Sequence, residues 1–182
     1  VPRGTIGIAC AAASERSTVR RDLPFRLWIF DADGTLRRTL VPGQPCPHAP
    51  DEWALIPGVA EHLYGVPWGD DVRLGIASNQ DHVAYGHLSE TMARALLADM
   101  AYAATGHTPP KDAVQLCPHA LDVPCDCRKP APGMLRRIMD YYDVTPDETL
   151  FVGDAEVDAA AARNAGVTFA WADDFFTRTV ER

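Results

Sequence analysis

The sequence predicts an α/β fold, a Rossmann-like three-layer sandwich with a central parallel sheet and no large cap domain. Two observations predict it. Short apolar runs that read as buried strands alternate with stretches of helical periodicity, the pattern of parallel strands joined by crossover helices. Polar clusters then follow the strands: Asp31 and Asp33, Ser78 and Asn79, Gly153 and Asp154. Ligands of open parallel sheets sit outside the C-terminal strand ends, so the three clusters are expected to form one site.

Taken in order, residues 1–24 are small, polar and aperiodic, and VPRG at the start looks like part of a protease-site linker or a frayed tail; they are set outside the fold. The domain is expected over 25–182. Phe25 to Phe30 (FRLWIF) reads as a buried strand and Arg37 to Trp53, rich in proline, as a loop. Pro57 to Leu63 reads as a short helix with Pro in its first turn. Val72 to Ala77 is the second strand. From His82 to about Thr105 the pattern is helical, with Leu88, Met92, Ala95, Leu96, Met100 and Ala103 on the apolar face. Ala113 to Leu116, Thr149 to Val152 and Val167 to Trp171 read as strands, and Pro132 to Tyr142 and Ala155 to Ala165 as helices.

The formal net charge of −8 on 182 residues, without a basic cluster, argues against a nucleic-acid partner. No apolar run is long enough to cross a bilayer. Of five cysteines, Cys117, Cys125 and Cys127 crowd into one short stretch with His119, which reads as metal binding in a reducing compartment rather than a disulfide framework. The expectation is a cytoplasmic monomer.

The first polar cluster, Asp31-Ala-Asp33-Gly34, places two carboxylates at i and i+2 before a glycine turn. That suits a hard cation and a division of labour, one carboxylate attacking phosphorus and the other, kept protonated by its surroundings, protonating the leaving oxygen. The plain alternative is an Asx turn after a strand. Asp154 supplies a further metal-facing carboxylate, with Asp158 a helical turn later to hold it. Converging carboxylates repel, which makes Mg²⁺ the natural counter-charge. Ser78 and Asn79 offer donors to phosphoryl oxygens, and Lys129 a positive charge against the developing negative one.

DADGT, SNQ, the Lys129 of CRKP, and VGDAEVD resemble the four ordered motifs of the haloacid dehalogenase (HAD) superfamily, from residue 25 onward. The resemblance implies Asp31 as nucleophile, Asp33 as general acid then base, and Ser78 and Lys129 as phosphoryl-binding groups. It also implies Mg²⁺ on Asp31, the Asp33 backbone carbonyl and Asp154. The short inter-motif stretches leave no room for a large cap, so an open site is expected, which suits either a small polar phosphate ester or a larger substrate; a small phosphorylated metabolite is the expected partner.

Cys117, His119, Cys125 and Cys127 form C-x-H-x5-C-x-C, four ligands with no open position, the mark of a structural zinc. With Arg128-Lys129-Pro130 directly after it, this arrangement resembles the histidinol-phosphate and D-glycero-D-manno-heptose 1,7-bisphosphate phosphatases. The zinc would then brace the loop that delivers Arg128 and Lys129 to substrate. The five-residue gap favours the histidinol enzymes; CRKPAPGML and IPGV favour the heptose enzymes, and Ala155, where those often carry Lys, detracts from them. A heptose bisphosphate is placed slightly ahead of histidinol phosphate. Polynucleotide 3′-phosphatase activity and a non-catalytic phosphate-binding module are the alternatives.

The tetrapeptide CPHA occurs twice, at 46–49 and 117–120. Cys46 and His48 lack a second half nearby and read as loop residues, and His82 and His87 as surface histidines. Asp81 lies where a substrate hydroxyl or amine could reach it. Trp28, Trp53, Trp68 and Trp171 read as packing residues.

Overall fold

A computed structural model describes residues 25–69 and 71–177; the 1–24 segment lies outside them. Five strands form a parallel sheet in the order β5-β4-β1-β6-β7: β1 Leu27–Phe30, β4 Arg73–Asn79, β5 Val114–Cys117, β6 Thr149–Gly153 and β7 Thr168–Trp171. β1 sits at the centre, with Phe30 in register with Ile76 on one side and Val152 on the other. Strand alternation divides its side chains between two cores. Trp28 and Phe30 pack with Leu74, Ile76, Leu96, Leu97 and Val152. Leu27 and Ile29 face the opposite layer with Met134, Leu135, Ile138 and Phe151. Each such side chain contributes roughly 1.5–3 kcal/mol when taken out of water, and every residue of β1 is buried.

The helices are α1 Val59–Leu63, α2 Glu90–Thr105, α3 Gly133–Tyr142, α4 Glu156–Ala165 and α5 Ala172–Thr177. Three sequence expectations need correction. The stretch expected as a loop contains β2 Arg37–Thr39 and β3 Trp53–Leu55, which pair antiparallel. Polar Arg-Arg-Thr concealed β2, and the reason lies in Arg37, a wholly buried cation satisfied by Asp33 and by the Leu96 carbonyl. The helix expected from His82 begins only at Glu90. Asp81–Val83 is a 3-10 turn, the chain reverses through Gly86, and Ser89 caps α2 by accepting the Met92 N–H at 3.1 Å. The apolar face is also rotated: Ala93, Leu97, Ala101 and Ala104 are buried with Leu96 and Met100, whereas Met92, Ala95 and Ala103 are exposed. Alanine carries too little hydropathy to set the phase of a helix in which it recurs on both faces.

Helix α5 was not anticipated from the sequence. Its acidic first turn, Asp173 and Asp174, conceals Phe175 and Phe176, which pack edge-on and stacked against Trp28 and Phe30. Trp28 and Trp68 lie in the core and Trp53 packs at its margin, but Trp171 is partly exposed on the edge strand. Between β1 and β4 the chain builds only the β2–β3 pair, its loop and α1, so nothing of cap-domain size stands over the sheet. No helix of the described residues is long and apolar enough to cross a membrane.

Candidate active site

Asp31 leaves β1 with its N–H bonded to the Val152 carbonyl at 2.9 Å, which fixes the carboxylate at the centre of the C-terminal sheet edge. Three elements converge on it. The Lys129 ammonium lies 2.5 Å from Asp31 Oδ1 and 2.7 Å from Asp158 Oδ1, and donates to the Ala77 carbonyl at 2.9 Å. Thr35 Oγ1 stands between Asp31 Oδ2 at 3.4 Å and Asp154 Oδ1 at 3.1 Å. Gly34, at φ +91°, turns the chain beside Asp154, and any Cβ there would collide with the Asp154 carboxylate. Carboxylate oxygens of Asp31, Asp154 and Asp158 all lie within 4.8 Å of one another.

Burial pushes the Asp31 carboxyl up to about 7, against the pull of Lys129. Burial also raises Asp154, with the Thr35 hydroxyl opposing it. For Lys129, burial alone would lower the pKa, but Asp31 and Asp158 outweigh it and hold the amine above the usual lysine value. One fully buried ammonium thus faces three carboxylates, an excess of negative charge that a divalent cation would offset.

Asp158 does something other than hold Asp154. Its Oδ2 accepts the Ala155 N–H at 3.0 Å at the start of α4, and its Oδ1 pairs with Lys129. With both oxygens engaged, it is the least available of the three as a metal ligand. Asp33 accepts Arg37 Nε at 2.8 Å and Nη2 at 3.2 Å, and Gln80 Nε2 at 2.8 Å. Donors meet both Asp33 oxygens, so the expectation that its surroundings keep it protonated is not met among the described contacts. The proton for a leaving oxygen has to be taken up as substrate binds. Ser78, buried at the end of β4, accepts from Gln80 Nε2 at 2.9 Å. Asn79 has both amide atoms on the Lys129 backbone, accepting its N–H at 3.0 Å and donating to its carbonyl at 3.2 Å. That side chain positions the lysine and commits one of its two amide N–H donors to doing so. Sequence reading missed Gln80 and Arg37, the pair that orients Asp33; the only signal was a polar side chain at the end of, or two residues after, each strand-end motif.

The Cys117, His119, Cys125 and Cys127 ligand atoms cluster immediately before Lys129. Cys117 Sγ is 3.6 Å from Cys125 Sγ and 3.5 Å from His119 Nδ1, and Cys127 Sγ is 3.2 Å from that nitrogen. Around a tetrahedral zinc with ordinary bond lengths, sulfurs stand about 3.8 Å apart and sulfur and nitrogen about 3.6 Å. Cys125 is drawn down to about 7: donation from the Arg128 N–H and the neighbouring thiols outweighs desolvation. Burial and the neighbouring sulfurs push Cys127 up to about 12. A divalent ion would remove the need for those protons. Gly133 lets the loop close on α3, where its N–H meets the Asp126 carbonyl at 2.9 Å and a side chain would collide. Arg128 spans from the His119 carbonyl, 2.5 Å from Nη2, to Asp81, 3.7 Å from Nη1. The loop is thereby tied to the strand end that carries Ser78.

Residues 126–174 match a family model described as HAD-hydrolase-like. The chain is 33% identical over 141 residues to the D-glycero-β-D-manno-heptose-1,7-bisphosphate 7-phosphatase of Bordetella bronchiseptica, covering 78% of this chain and 76% of that enzyme. It is 36% identical over 126 residues to the enzyme of the same name from Pseudomonas putida, and the match spans 64% of this chain and 66% of that one. The crystal structure of the B. bronchiseptica heptose bisphosphate phosphatase, complexed with magnesium and phosphate, superposes with a TM-score of 0.68 at 33% identity, over 80% of this chain and 79% of that one.

Proposed function

Because the chain belongs to the haloacid dehalogenase-like family of phosphatases, we propose that it hydrolyses a small phosphorylated sugar through an aspartyl phosphate, an acyl phosphate formed on Asp31. The observation that carries this reading is the convergence of Asp31, Lys129 and Asp154 around Thr35 at one sheet edge. An Asp31 oxygen bonds to phosphorus as the ester P–O bond breaks. The departing oxygen takes a proton from Asp33, whose orientation Arg37 and Gln80 set. Water then attacks the phosphorylated Asp31, giving its proton back to Asp33, and phosphate leaves. Lys129 and Ser78 meet the phosphoryl oxygens; Asn79 acts on that step through the Lys129 backbone. Arg128, held at the rim beside Asp81, faces the rest of the substrate.

The hard oxygen donors of Asp31 and Asp154 fit Mg²⁺, and the family resemblance adds the Asp33 backbone carbonyl to them. Bound there, Mg²⁺ would supply positive charge to the transferring phosphoryl group. The B. bronchiseptica complex supports that choice of ion. The three thiols and His119 fit a structural zinc by chemistry and spacing.

D-glycero-D-manno-heptose 1,7-bisphosphate is the substrate that the names of the relatives favour. Histidinol phosphate is the second reading, favoured by the five residues between His119 and Cys125. Phosphate release across heptose bisphosphate, other sugar phosphates and histidinol phosphate, with Mg²⁺, tests both. The highest kcat/KM is expected on the heptose bisphosphate. A higher value on histidinol phosphate would transfer the assignment, and no Mg²⁺-dependent release from any ester would overturn the phosphatase reading.

A further inference from the structure

The first copy of the CPHA tetrapeptide finds in space the partners it lacks in sequence. Cys46 Sγ and ring nitrogens of His48 and His82 lie within 4.8 Å of one another. Cys46 and His48 belong to the loop joining β2 to β3, and His82 to the 3-10 turn directly after β4. The thiol is buried at 5% exposure, and both histidines are half-buried. His48 Nε2 approaches His82 Nδ1 at 2.6 Å. A third imidazole, His87, stacks parallel on His48 with ring centroids 5.3 Å apart and lies 4.9 Å from the His82 ring.

The backbone around these groups is held from behind. Glu52 Oε2 accepts the His48 N–H at 2.7 Å and Gln44 Nε2 at 2.9 Å, and the same Gln44 nitrogen donates to the Cys46 carbonyl at 2.8 Å. These contacts set the turn that points Cys and His, two residues apart, at one spot. Supporting hydrogen bonds of this kind are what orient ligands at a metal centre.

We propose that Cys46, His48 and His82 form a second transition-metal site, separate from the Cys117–Cys127 loop, selective for Zn²⁺ or an ion of similar softness. One thiolate and two imidazoles form a borderline-soft donor set that suits zinc and cobalt and disfavours Mg²⁺. Ligand nitrogens on a tetrahedral zinc stand about 3.3 Å apart. The His48–His82 contact therefore opens by roughly 0.7 Å when an ion replaces the shared proton, a shift within reach of two half-buried rings. Three protein ligands leave a fourth position, which water can fill. The ion would pin the 40–52 loop to the strand end that carries Ser78 and Gln80, because His82 follows Gln80 by only two residues.

The test uses the full chain, stripped of metal and reloaded with Zn²⁺ or Co²⁺ after gel filtration, with bound metal counted by mass spectrometry. Wild type is expected to carry two equivalents, falling to one in Cys46→Ala and likewise in His48→Ala/His82→Ala. Cys125→Ser is expected to lose the ion of the other loop yet retain a cobalt–thiolate charge-transfer band, which disappears when Cys46→Ala is added. Circular dichroism reports whether each variant is folded. If Cys125→Ser unfolds, the comparison of wild type with the His48→Ala/His82→Ala double variant decides alone. One equivalent in wild type that persists in Cys46→Ala overturns the second site while leaving the first intact. A count that falls in Cys125→Ser but not in the Cys46 or histidine variants does the same.

Discussion

The carboxylate centre and the thiolate loop each gather groups that could hold a cation, and they are assembled in opposite ways. Lys129 and Asp31 meet across 98 positions of chain, and Thr35 and Asp154 across 119. Cys117 and Cys125 are only eight positions apart. The centre depends on the whole sheet being in register and offers hard oxygens. The loop is local, soft and closed on four ligands. Chemistry and support are thus separated, and the two-residue step from Cys127 to Lys129 is where they join. A change in one should leave the other standing, except at that junction.

The largest expected effect comes from Asp31→Asn. An amide is a far weaker nucleophile than a carboxylate, so turnover should vanish and no phosphorylated enzyme should form. The fold and the metal content of the thiolate loop should persist. Turnover by purified Asp31→Asn, measured as Mg²⁺-dependent phosphate release, would place the chemistry elsewhere.

Asp33→Asn should cost less and should depend on the ester. General acid–base help is worth roughly 10²–10⁴-fold, and an alkyl ester needs the proton more than an aryl ester does. The alkyl-to-aryl rate ratio should therefore fall in the variant. Arg37→Met should lower that ratio in the same direction, because Arg37 orients Asp33. An unchanged ratio in Asp33→Asn would remove Asp33 from the acid role.

The contrast also explains what could be read in advance. The thiolate loop was legible as a unit because its ligands share one stretch of sequence. The carboxylate centre was legible only as separate clusters, joined by the rule that strand ends of a parallel sheet share a site. The partner of each group stayed hidden. Nothing in the sequence says that Asn79 grips the Lys129 backbone, or that Asp158 pairs with Lys129 instead of supporting Asp154. The buried Arg37 hid β2, since a cation in a strand looks like surface until Asp33 and the Leu96 carbonyl are placed around it. His82 was read as a surface histidine, and Cys46 and His48 as loop residues, for the same reason: their juxtaposition is made by tertiary structure alone.

Cys125→Ser probes the junction. Zinc binding alone folds small peptides and is worth about 10 kcal/mol there, but here both cores of the sheet remain. A loss of about 2–3 kcal/mol is expected, which lowers Tm by roughly 5–10 °C in a domain of this size. Activity should fall with it, by about tenfold, through misplacement of Lys129. Thermal melts and kcat on the same preparation check both. Full activity with the loop metal gone would mean that Asn79 alone holds the lysine in place.

The smallest effect is the most specific to the carboxylate centre. Burial holds Asp31 at about 7, up from 3.8, and the ionised form is the one that attacks phosphorus and attracts the cation. Below pH 7 the proton occupies Asp31 in the metal-free protein, and Mg²⁺ must displace it. The apparent Mg²⁺ dissociation constant should then rise with each unit of acidification, by at most about tenfold per proton released, and level off above pH 7. Saturating Mg²⁺ should move the acid limb of activity to lower pH. The stability arm has a definite sign. A carboxyl whose folded pKa lies above its unfolded value binds its proton more tightly when folded, so its contribution to stability is complete below about 3.8 and is lost as pH rises through about 7. Mg²⁺ compensates the charge that appears there, and the Tm gain on adding Mg²⁺ should be larger at pH 8 than at pH 5. Zinc in the thiolate loop should add nothing to that difference, because the side chains that contact Asp31 are Lys129 and Thr35 and not the loop's ligands. A Tm gain independent of pH, or one lost in Cys125→Ser but kept in Asp31→Asn, would show that the added ion acts on the loop and that the two regions are not separate.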